Sequence, residues 1–219
     1  MYDFLNGKRV ALVGPAASLK GQGRGEYIDS HDFVVRINYA KIQSVVDAGS
    51  RTDIVYYDGS YHDYSSCNPK FLVCSYPETE WFFESRCRVN VESFKQKYQH
   101  HIVNSDIYRS IKTSLDPEHK VRPNSGTIAI VDLLSSNLSN LYITGVDFYR
   151  SSYLSTHPDY GNKQLKEIKS IFAKGDNGDY HDTDKQFYYF KNEIMKDDRI
   201  EVDEFLGKIL SIQNKEEKC

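Results

Sequence analysis

The chain has 219 residues, with 28 lysines and arginines against 31 aspartates and glutamates and a formal net charge of −3. This length suits one ordinary α/β domain, and a slightly acidic balance without a basic run argues against nucleic acid as a partner. No stretch approaches the ~20 apolar residues of a membrane span, so we expect no membrane segment in this chain.

The N-terminus and the cysteines bear on the cellular compartment. Residues 1–9 contain no apolar signal-peptide core, which predicts a cytoplasmic protein or a soluble part of a larger one. Cys67, Cys74, Cys87 and Cys219 form no C-x-x-C pair. We therefore expect reduced thiols rather than a disulfide framework or a zinc site.

Apolar runs and helical spacing predict alternating elements along the chain. In chain order, we expect strands over 8–13, 32–37, 53–57 and 71–76, short helices over 77–86 and 92–100, and a weak strand at 102–103. A helix over 126–137, a strand over 141–146, helices over 164–173 and 184–196, a strand over 200–202 and a final helix through residue 212 follow. This alternation predicts one Rossmann-like α/β domain over 1–213, with a mainly parallel sheet, helices on both faces and a flexible tail over 214–219.

The first candidate binding segment follows the first predicted strand. Gly14, Pro15, Ala16 and Ala17 leave the backbone open to a ligand beyond the carboxyl end of that strand, and Asn38 ends the second strand. The glycines that follow do not form G-x-G-x-x-G, no acidic residue closes the second strand, and no G-K-[ST] is present. A nicotinamide-dependent oxidoreductase is therefore disfavoured, although it stays an alternative.

The second candidate segment opens the helix predicted after residue 123. Asn124, Ser125, Gly126 and Thr127 cluster at the helix N-terminus, where free N–H groups and the helix dipole favour an anion. A phosphate or a sugar carboxylate fits such a site. Simple helix capping is the alternative interpretation.

Two histidines lie in polar loops before predicted helices, His157 and His181. A histidine titrates near neutrality and can act as a general base, although most histidines in loops are ordinary surface residues. Asp182 and Asp184 form a D-x-D pattern that does not follow a strand. We expect that pair to belong to a solvated loop, and we predict no metal site.

The order of residues from 10 to 38 closely resembles the L motif of the eukaryotic-type sialyltransferases, glycosyltransferase family 29. The residues that stand in register are Leu19, Lys20, Gly21, Gly23, Gly25, Ile28, Asp29, His31, Asp32, Val35, Arg36 and Asn38. In that family the motif binds the CMP donor, and His31 would be a structural residue. One departure is Pro15, because the family has a CMP-contacting asparagine at this position. Residues 49–52 also resemble the G-x-[RK]-T turn of the family.

Three shorter motifs of the family follow the L motif. Asn124, Ser125 and Gly126 match the S motif, which contacts donor and acceptor. His157 and Tyr160 stand at motif III, which contacts the donor phosphate. His181 matches the catalytic base of motif VS, whose final glutamate is replaced by Gln186, so the role of that glutamate is open in this chain.

The Golgi members join their L and S motifs by a disulfide, at positions that correspond to Val10 and Leu138. An apolar pair in place of a disulfide fits a reducing compartment and suggests a bacterial or viral member.

The resemblance implies a GT-A-like fold and an inverting transfer of a sialic-acid-type sugar from its CMP donor to a glycan hydroxyl. The donor is a co-substrate, and the family needs no cofactor or metal. The donor-binding residues implied are Gly14, Pro15, Ala16, Asn38, Asn124, Ser125, Gly126, His157 and Tyr160, with His181 as the base. CMP-Kdo as the donor and a non-catalytic CMP-sugar or glycan-binding protein are the alternatives.

Overall fold

Seven parallel strands form one sheet in the computed structural model, which describes residues 2–39, 41–118, 120–154, 161–174 and 181–216. The strands are β1 (Arg9–Val13), β2 (Phe33–Ile37), β3 (Ile54–Tyr57), β4 (Phe71–Cys74), β5 (Gln99–Ile102), β6 (Asn140–Thr144) and β7 (Ile200–Val202). Their order is β5-β4-β3-β2-β1-β6-β7, and every pairing is parallel. The predicted α/β class with a mainly parallel sheet is confirmed.

Helices connect most of these strands. They are α1 (Gly25–Asp29), α2 (Val45–Ala48), α3 (Arg88–Lys95), α4 (Ser105–Leu115), α5 (Ser125–Leu134), α6 (Leu165–Lys174), α7 (Thr183–Asn192) and α8 (Glu204–Glu216). Among the described residues, no helix combines the length and apolarity needed to cross a bilayer.

Apolar side chains cover both faces of the sheet because each inner strand is buried on both sides. In β1, Val10 and Leu12 belong to the larger core cluster, whereas Ala11 and Val13 belong to a second cluster beneath α1 and α2. The larger cluster includes Leu138, so the apolar pair predicted to replace the family disulfide is buried in one core. The prediction of helices on both faces is confirmed.

Two L-motif residues, Arg36 and Asp29, form hydrogen bonds with the loop that follows α2. Arg36 is 3% exposed and donates hydrogen bonds to the carbonyl oxygens of Ala48 and Arg51 and to the hydroxyl of Thr52. The Asp29 carboxylate accepts from the backbone N–H groups of Ser50 and Arg51. These bonds explain why arginine and aspartate at these positions accompany the G-x-[RK]-T turn.

Some predicted elements differ from the structure. The helix expected over 77–86 is instead a turn followed by a π-helical segment (Phe83–Cys87), and the helix expected over 92–100 begins at Arg88 and ends at Lys95. Residues 99–102 form β5, and α4 was not predicted. The last helix continues to Glu216, beyond the predicted end at residue 212 and into the segment expected to be a flexible tail.

Candidate functional site

A cleft lies where the chain order of the sheet reverses. β2 to β5 lie on one side of β1, whereas β6 and β7 lie on the other, so the chain order of the strands reverses between β1 and β6. Open α/β sheets bind ligands beyond the carboxyl ends of the strands at such a switch point. The topology therefore identifies this edge as the expected ligand site.

Four segments that are distant in sequence line the cleft. They are Pro15 and Ala16 after β1, Ile37 and Asn38 at the end of β2, residues 124–126 at the N-terminus of α5, and most of the loop 145–153 after β6. Six of the predicted donor-binding residues thus share one cavity: Pro15, Ala16, Asn38, Asn124, Ser125 and Gly126. Gly14 lines a neighbouring cavity together with Pro15 and Ile37.

Backbone hydrogen bonds join the loop after β1 to the loop after β6. The Gly14 N–H donates to the carbonyl of Thr144 at 2.8 Å, and the Leu154 N–H donates to the carbonyl of Pro15 at 2.9 Å. A Cβ atom on Gly14 would lie 2.2 Å from the carbonyl oxygen of Gly145, so only glycine permits this approach. Pro15 thus supports a wall of the cleft through its carbonyl, although it lacks the side-chain amide of the family motif.

Unusual backbone conformations concentrate in the cleft. Of the four described non-glycine residues with positive φ, three line it: Asn38 (56°), Phe148 (52°) and Tyr149 (60°). Such conformations cost free energy and persist where the surrounding structure imposes them, which is common in binding sites. The Asn38 Oδ1 is buried without a hydrogen-bond partner among the described residues. A ligand donor would satisfy this oxygen.

The N-terminus of α5 supplies the electropositive part of the cleft. Asn124 caps the helix, with its Oδ1 accepting from the Thr127 N–H at 2.8 Å. Helix capping and anion binding are therefore compatible at this turn, because Asn124 caps the helix while Ser125 and Gly126 line the cavity. The first turn contains no acidic residue, so the positive end of the helix dipole is not neutralised there.

His181 lies just before α7, beside the segment that leads into α5. Its Nδ1 is 2.7 Å from the carbonyl oxygen of Arg122, two residues before Asn124. Burial, with a further contribution from the Arg122 cation, lowers the pKa of His181 to about 4. The imidazole is therefore neutral at physiological pH. His181 is not itself among the residues that line the cleft.

Sequence reasoning missed most of the loop after β6. Asp147 is 4% exposed and accepts hydrogen bonds from the backbone N–H and the hydroxyl of Ser151, and burial raises the pKa of its carboxyl group. Tyr149 and Tyr153 line the cleft with ring centroids 5.9 Å apart. The available signal was the glycine at the end of a buried strand followed by an aspartate and closely spaced tyrosines.

Two other predictions for this region have different outcomes. His157 and Tyr160 lie outside the described residues, so their assignment to motif III stays a prediction. The expectation that Asp182 and Asp184 belong to a solvated loop is only partly right, because the Asp184 side chain is 66% exposed but lies within α7. Asp182 caps α7 by accepting from two backbone N–H groups, and Asp184 in the first turn of α7 pairs with Arg150 at 2.7 Å.

The parallel sheet is doubly wound, and a helix N-terminus and two strand ends surround the cleft at its switch point. This arrangement places the chain among the doubly wound α/β proteins. The family model described as glycosyltransferase family 29 (sialyltransferase) matches residues 5–134, which is more than half of the chain. The chain therefore belongs to this family.

Curated relatives match over a short segment. The mouse and rat proteins named CMP-N-acetylneuraminate-beta-galactosamide-alpha-2,3-sialyltransferase 2 are each 44% identical over 46 residues. That segment is 20% of this chain and only 13% of the length of either relative.

Solved structures match over most of the chain. A mammalian sialyltransferase in complex with Gal-beta-1-3GalNAc-ortho-nitrophenol has a TM-score of 0.59 at 16% identity, covering 90% of this chain and 69% of the other. The sialyltransferase CstII from Campylobacter jejuni, in complex with the substrate analogue CMP-3FNeuAc, has a TM-score of 0.55 at 18% identity, covering 89% and 81%. At these identities the similarity establishes the fold.

Proposed function

We propose that the chain is a glycosyltransferase that moves a sialic-acid-type sugar from its CMP donor to a hydroxyl group of a glycan, with inversion at the anomeric carbon. The observation that carries this proposal is the meeting of the L-motif and S-motif residues in one cleft, lined by Asn38 and by residues 124–126. Family membership and the fold shared with CMP-bound sialyltransferases support it.

The donor fits the cleft by its chemistry. Gly14, Pro15 and Ala16, which follow β1, let a nucleotide approach the backbone closely. The side-chain amide of Asn38 can form a hydrogen bond with a base or ribose group. The anionic groups of the donor, its phosphate and its carboxylate, suit the N-terminus of α5. His157 and Tyr160 are proposed as further donor contacts.

The leaving group is CMP, which departs as negative charge develops on its phosphate. The Tyr149 and Tyr153 hydroxyl groups and the free N–H groups of α5 can stabilise this charge. A monophosphate leaving group carries less charge than a diphosphate does, so these donors can suffice. We therefore propose that transfer needs no metal or other cofactor.

The proposed base is His181. A carbonyl oxygen can only accept a hydrogen bond, so its bond with Arg122 fixes the proton on Nδ1 and leaves the lone pair on Nε2. The acceptor hydroxyl oxygen forms a bond to the anomeric carbon while the bond from that carbon to the phosphate oxygen breaks. The hydroxyl proton passes to Nε2, and CMP leaves with the bonding electron pair.

Calorimetric titration tests the donor site. The purified chain is titrated with CMP, CMP-sialic acid and CMP-Kdo in buffer without added metal. Saturable binding of CMP supports the donor site, and the tighter CMP-sugar identifies the donor. Absence of binding by all three cytidine nucleotides would contradict the proposal.

Release of CMP in the presence of a galactose-terminated acceptor tests the base. His181→Ala removes the imidazole, whereas His181→Asn keeps an N–H donor for the Arg122 carbonyl and removes the proton acceptor. Both variants should lose turnover by about 100-fold or more while CMP affinity stays near that of the wild type. Wild-type turnover in either variant would exclude His181 as the base.

A non-catalytic CMP-sugar-binding protein is the second candidate, because Pro15 stands at the position of the family asparagine. It predicts CMP binding by the wild-type chain without CMP release from any CMP-sugar and acceptor pair.

A further inference from the structure

Gln186 is a fully buried residue of α7 whose side chain reaches the N-terminal turn of α5. Its Oε1 accepts from the backbone N–H of Asn124 at 2.8 Å and from the hydroxyl of Thr127 at 3.0 Å. The Asn124 N–H requires an acceptor, which fixes the orientation of the amide. Gln186 therefore holds the turn that presents Ser125 and Gly126 to the cleft.

The same stretch of chain contacts this turn at a second point. His181, five positions earlier, bonds the carbonyl oxygen of Arg122 at 2.7 Å. The segment 122–127 is thus held by His181 and by Gln186. Because both bonds end on one short segment, the distance between the imidazole and the anion-binding turn depends on them.

The charge of Gln186 matters as much as its hydrogen bonds. A glutamate, which ends the VS motif of the family, could accept the same two bonds but would place a negative charge against the positive end of α5. That charge would weaken an anion bound at Ser125 and Gly126. The Gln186 Nε2 is buried without a partner among the described residues, which costs free energy. A contribution to stability therefore does not explain why this residue is a glutamine.

We propose that Gln186 is a positioning residue for transfer: it joins the α5 N-terminal turn to the segment that anchors His181, and its neutral side chain reserves the positive end of α5 for the anionic groups of the donor. This inference rests on the function proposed above. It means that the site prefers anionic ligands, and that a glutamate in place of Gln186, as in the family motif, would weaken this preference.

Two substitutions separate the charge of Gln186 from its hydrogen bonds. Gln186→Glu keeps two acceptor bonds and adds a charge, whereas Gln186→Met keeps the approximate volume and removes both bonds. Binding is measured by calorimetry with CMP and with cytidine, which lacks the phosphate. Gln96→Glu, at the exposed end of α3, is the matched charge control.

Gln186→Glu should weaken CMP binding by about tenfold while cytidine affinity changes less than about twofold. In turnover assays it should raise KM with kcat largely kept, whereas Gln186→Met should lower kcat because the base and the donor lose their alignment. Gln96→Glu should behave as the wild type.

Equal loss of CMP and cytidine affinity in Gln186→Glu, or no loss of either, would overturn the charge assignment. Unfolding of Gln186→Glu, monitored by circular dichroism, would overturn the claim that a carboxylate keeps both bonds. Wild-type kcat in Gln186→Met would overturn the positioning role. Failure of the wild-type chain to bind CMP would instead reject the proposed function itself.

Discussion

The Nδ1 atom of His181 lies 2.7 Å from the carbonyl oxygen of Arg122, and this bond determines which nitrogen of the ring can take a proton. Nδ1 must donate, so the lone pair is on Nε2. Burial and the nearby Arg122 cation lower the pKa of His181 to about 4. With this pKa the imidazole is deprotonated over the whole physiological range, and as a proposed base it is intrinsically weak.

The pKa of His181 predicts the acid limb of the pH–rate profile. Because only the neutral imidazole accepts a proton, kcat/KM should rise with pH through about 4 and stay flat from about 5.5 to 7. The measurement is CMP release at subsaturating donor between pH 3.5 and 8. An acid limb centred near the ordinary histidine value of 6.5 would show that His181 is better solvated in the free enzyme than in this structure, or that it is not the base.

The same pKa predicts a change in stability with pH. The folded pKa lies below the unfolded value of 6.5, so between about 4 and 6.5 the unfolded chain binds more protons at this residue. The free energy of unfolding should therefore decrease as the pH falls through this window. Denaturant titrations of the wild type and His181→Asn should diverge in slope there, and parallel curves would contradict the prediction.

Local pattern was sufficient to predict much of the sheet. β7 matches its predicted range, and β1, β2 and β3 agree within a residue, because these three strands are mainly apolar runs. β5 was predicted poorly, since Gln99, His100 and His101 occupy an edge strand that needs no continuous apolar run. The amphipathic spacing of Ile107, Ile111 and Leu115 after the Asn104 cap did contain the signal for α4.

The candidate site was predictable only in part, because it depends on strand order. Gly14, Asn38 and the α5 turn were identified from motifs, yet nothing in the sequence alone places β6 next to β1. The contribution of the loop 145–153 follows from that pairing and from the backbone bonds to Pro15 and Ala17. Positive φ at Phe148 is likewise imposed by the tertiary structure rather than by residue type.

The buried hydrogen bonds of Arg36 predict that even a conservative substitution there lowers the free energy of unfolding. Its planar guanidinium bonds the carbonyl oxygens of Ala48 and Arg51 and the hydroxyl of Thr52 from a buried position. Lysine cannot reproduce this geometry, so Arg36→Lys should lower the free energy of unfolding by about 2–3 kcal/mol.

The control for that substitution is Arg109→Lys. Arg109 is exposed and forms an i,i+3 pair with Asp106, so the change should cost less than about 0.5 kcal/mol. Urea denaturation of both variants provides the comparison. Equal stabilities would show that the buried bonds of Arg36 contribute little.

The proposed metal independence of transfer predicts the effect of chelation. If Tyr149, Tyr153 and the α5 N-terminus stabilise the departing phosphate, EDTA should leave the rate of transfer unchanged, and added Mg²⁺ or Mn²⁺ should not increase it. Initial rates of CMP release with and without each addition provide the measurement. Loss of activity in EDTA that a divalent cation restores would refute this part of the proposal.

The close packing around Gly14 predicts that one substitution there lowers both the stability of the chain and its affinity for CMP. A Cβ atom there would lie 2.2 Å from the Gly145 carbonyl oxygen and 2.6 Å from a methyl carbon of Val146, so Gly14→Ala must separate the loops that follow β1 and β6. We expect a loss of about 1–3 kcal/mol in the free energy of unfolding and a loss of CMP affinity of at least about tenfold.

Gly207→Ala is the matched control, since a Cβ on this residue of α8 would lie 3.9 Å from a methyl carbon of Val202, which is an ordinary van der Waals distance. Alanine in a helix interior should stabilise the chain by about 0.5–1 kcal/mol without changing CMP affinity. Thermal unfolding and calorimetric titration of both variants distinguish the two positions. Normal CMP affinity in Gly14→Ala would mean that the approach of these two loops does not shape the donor site.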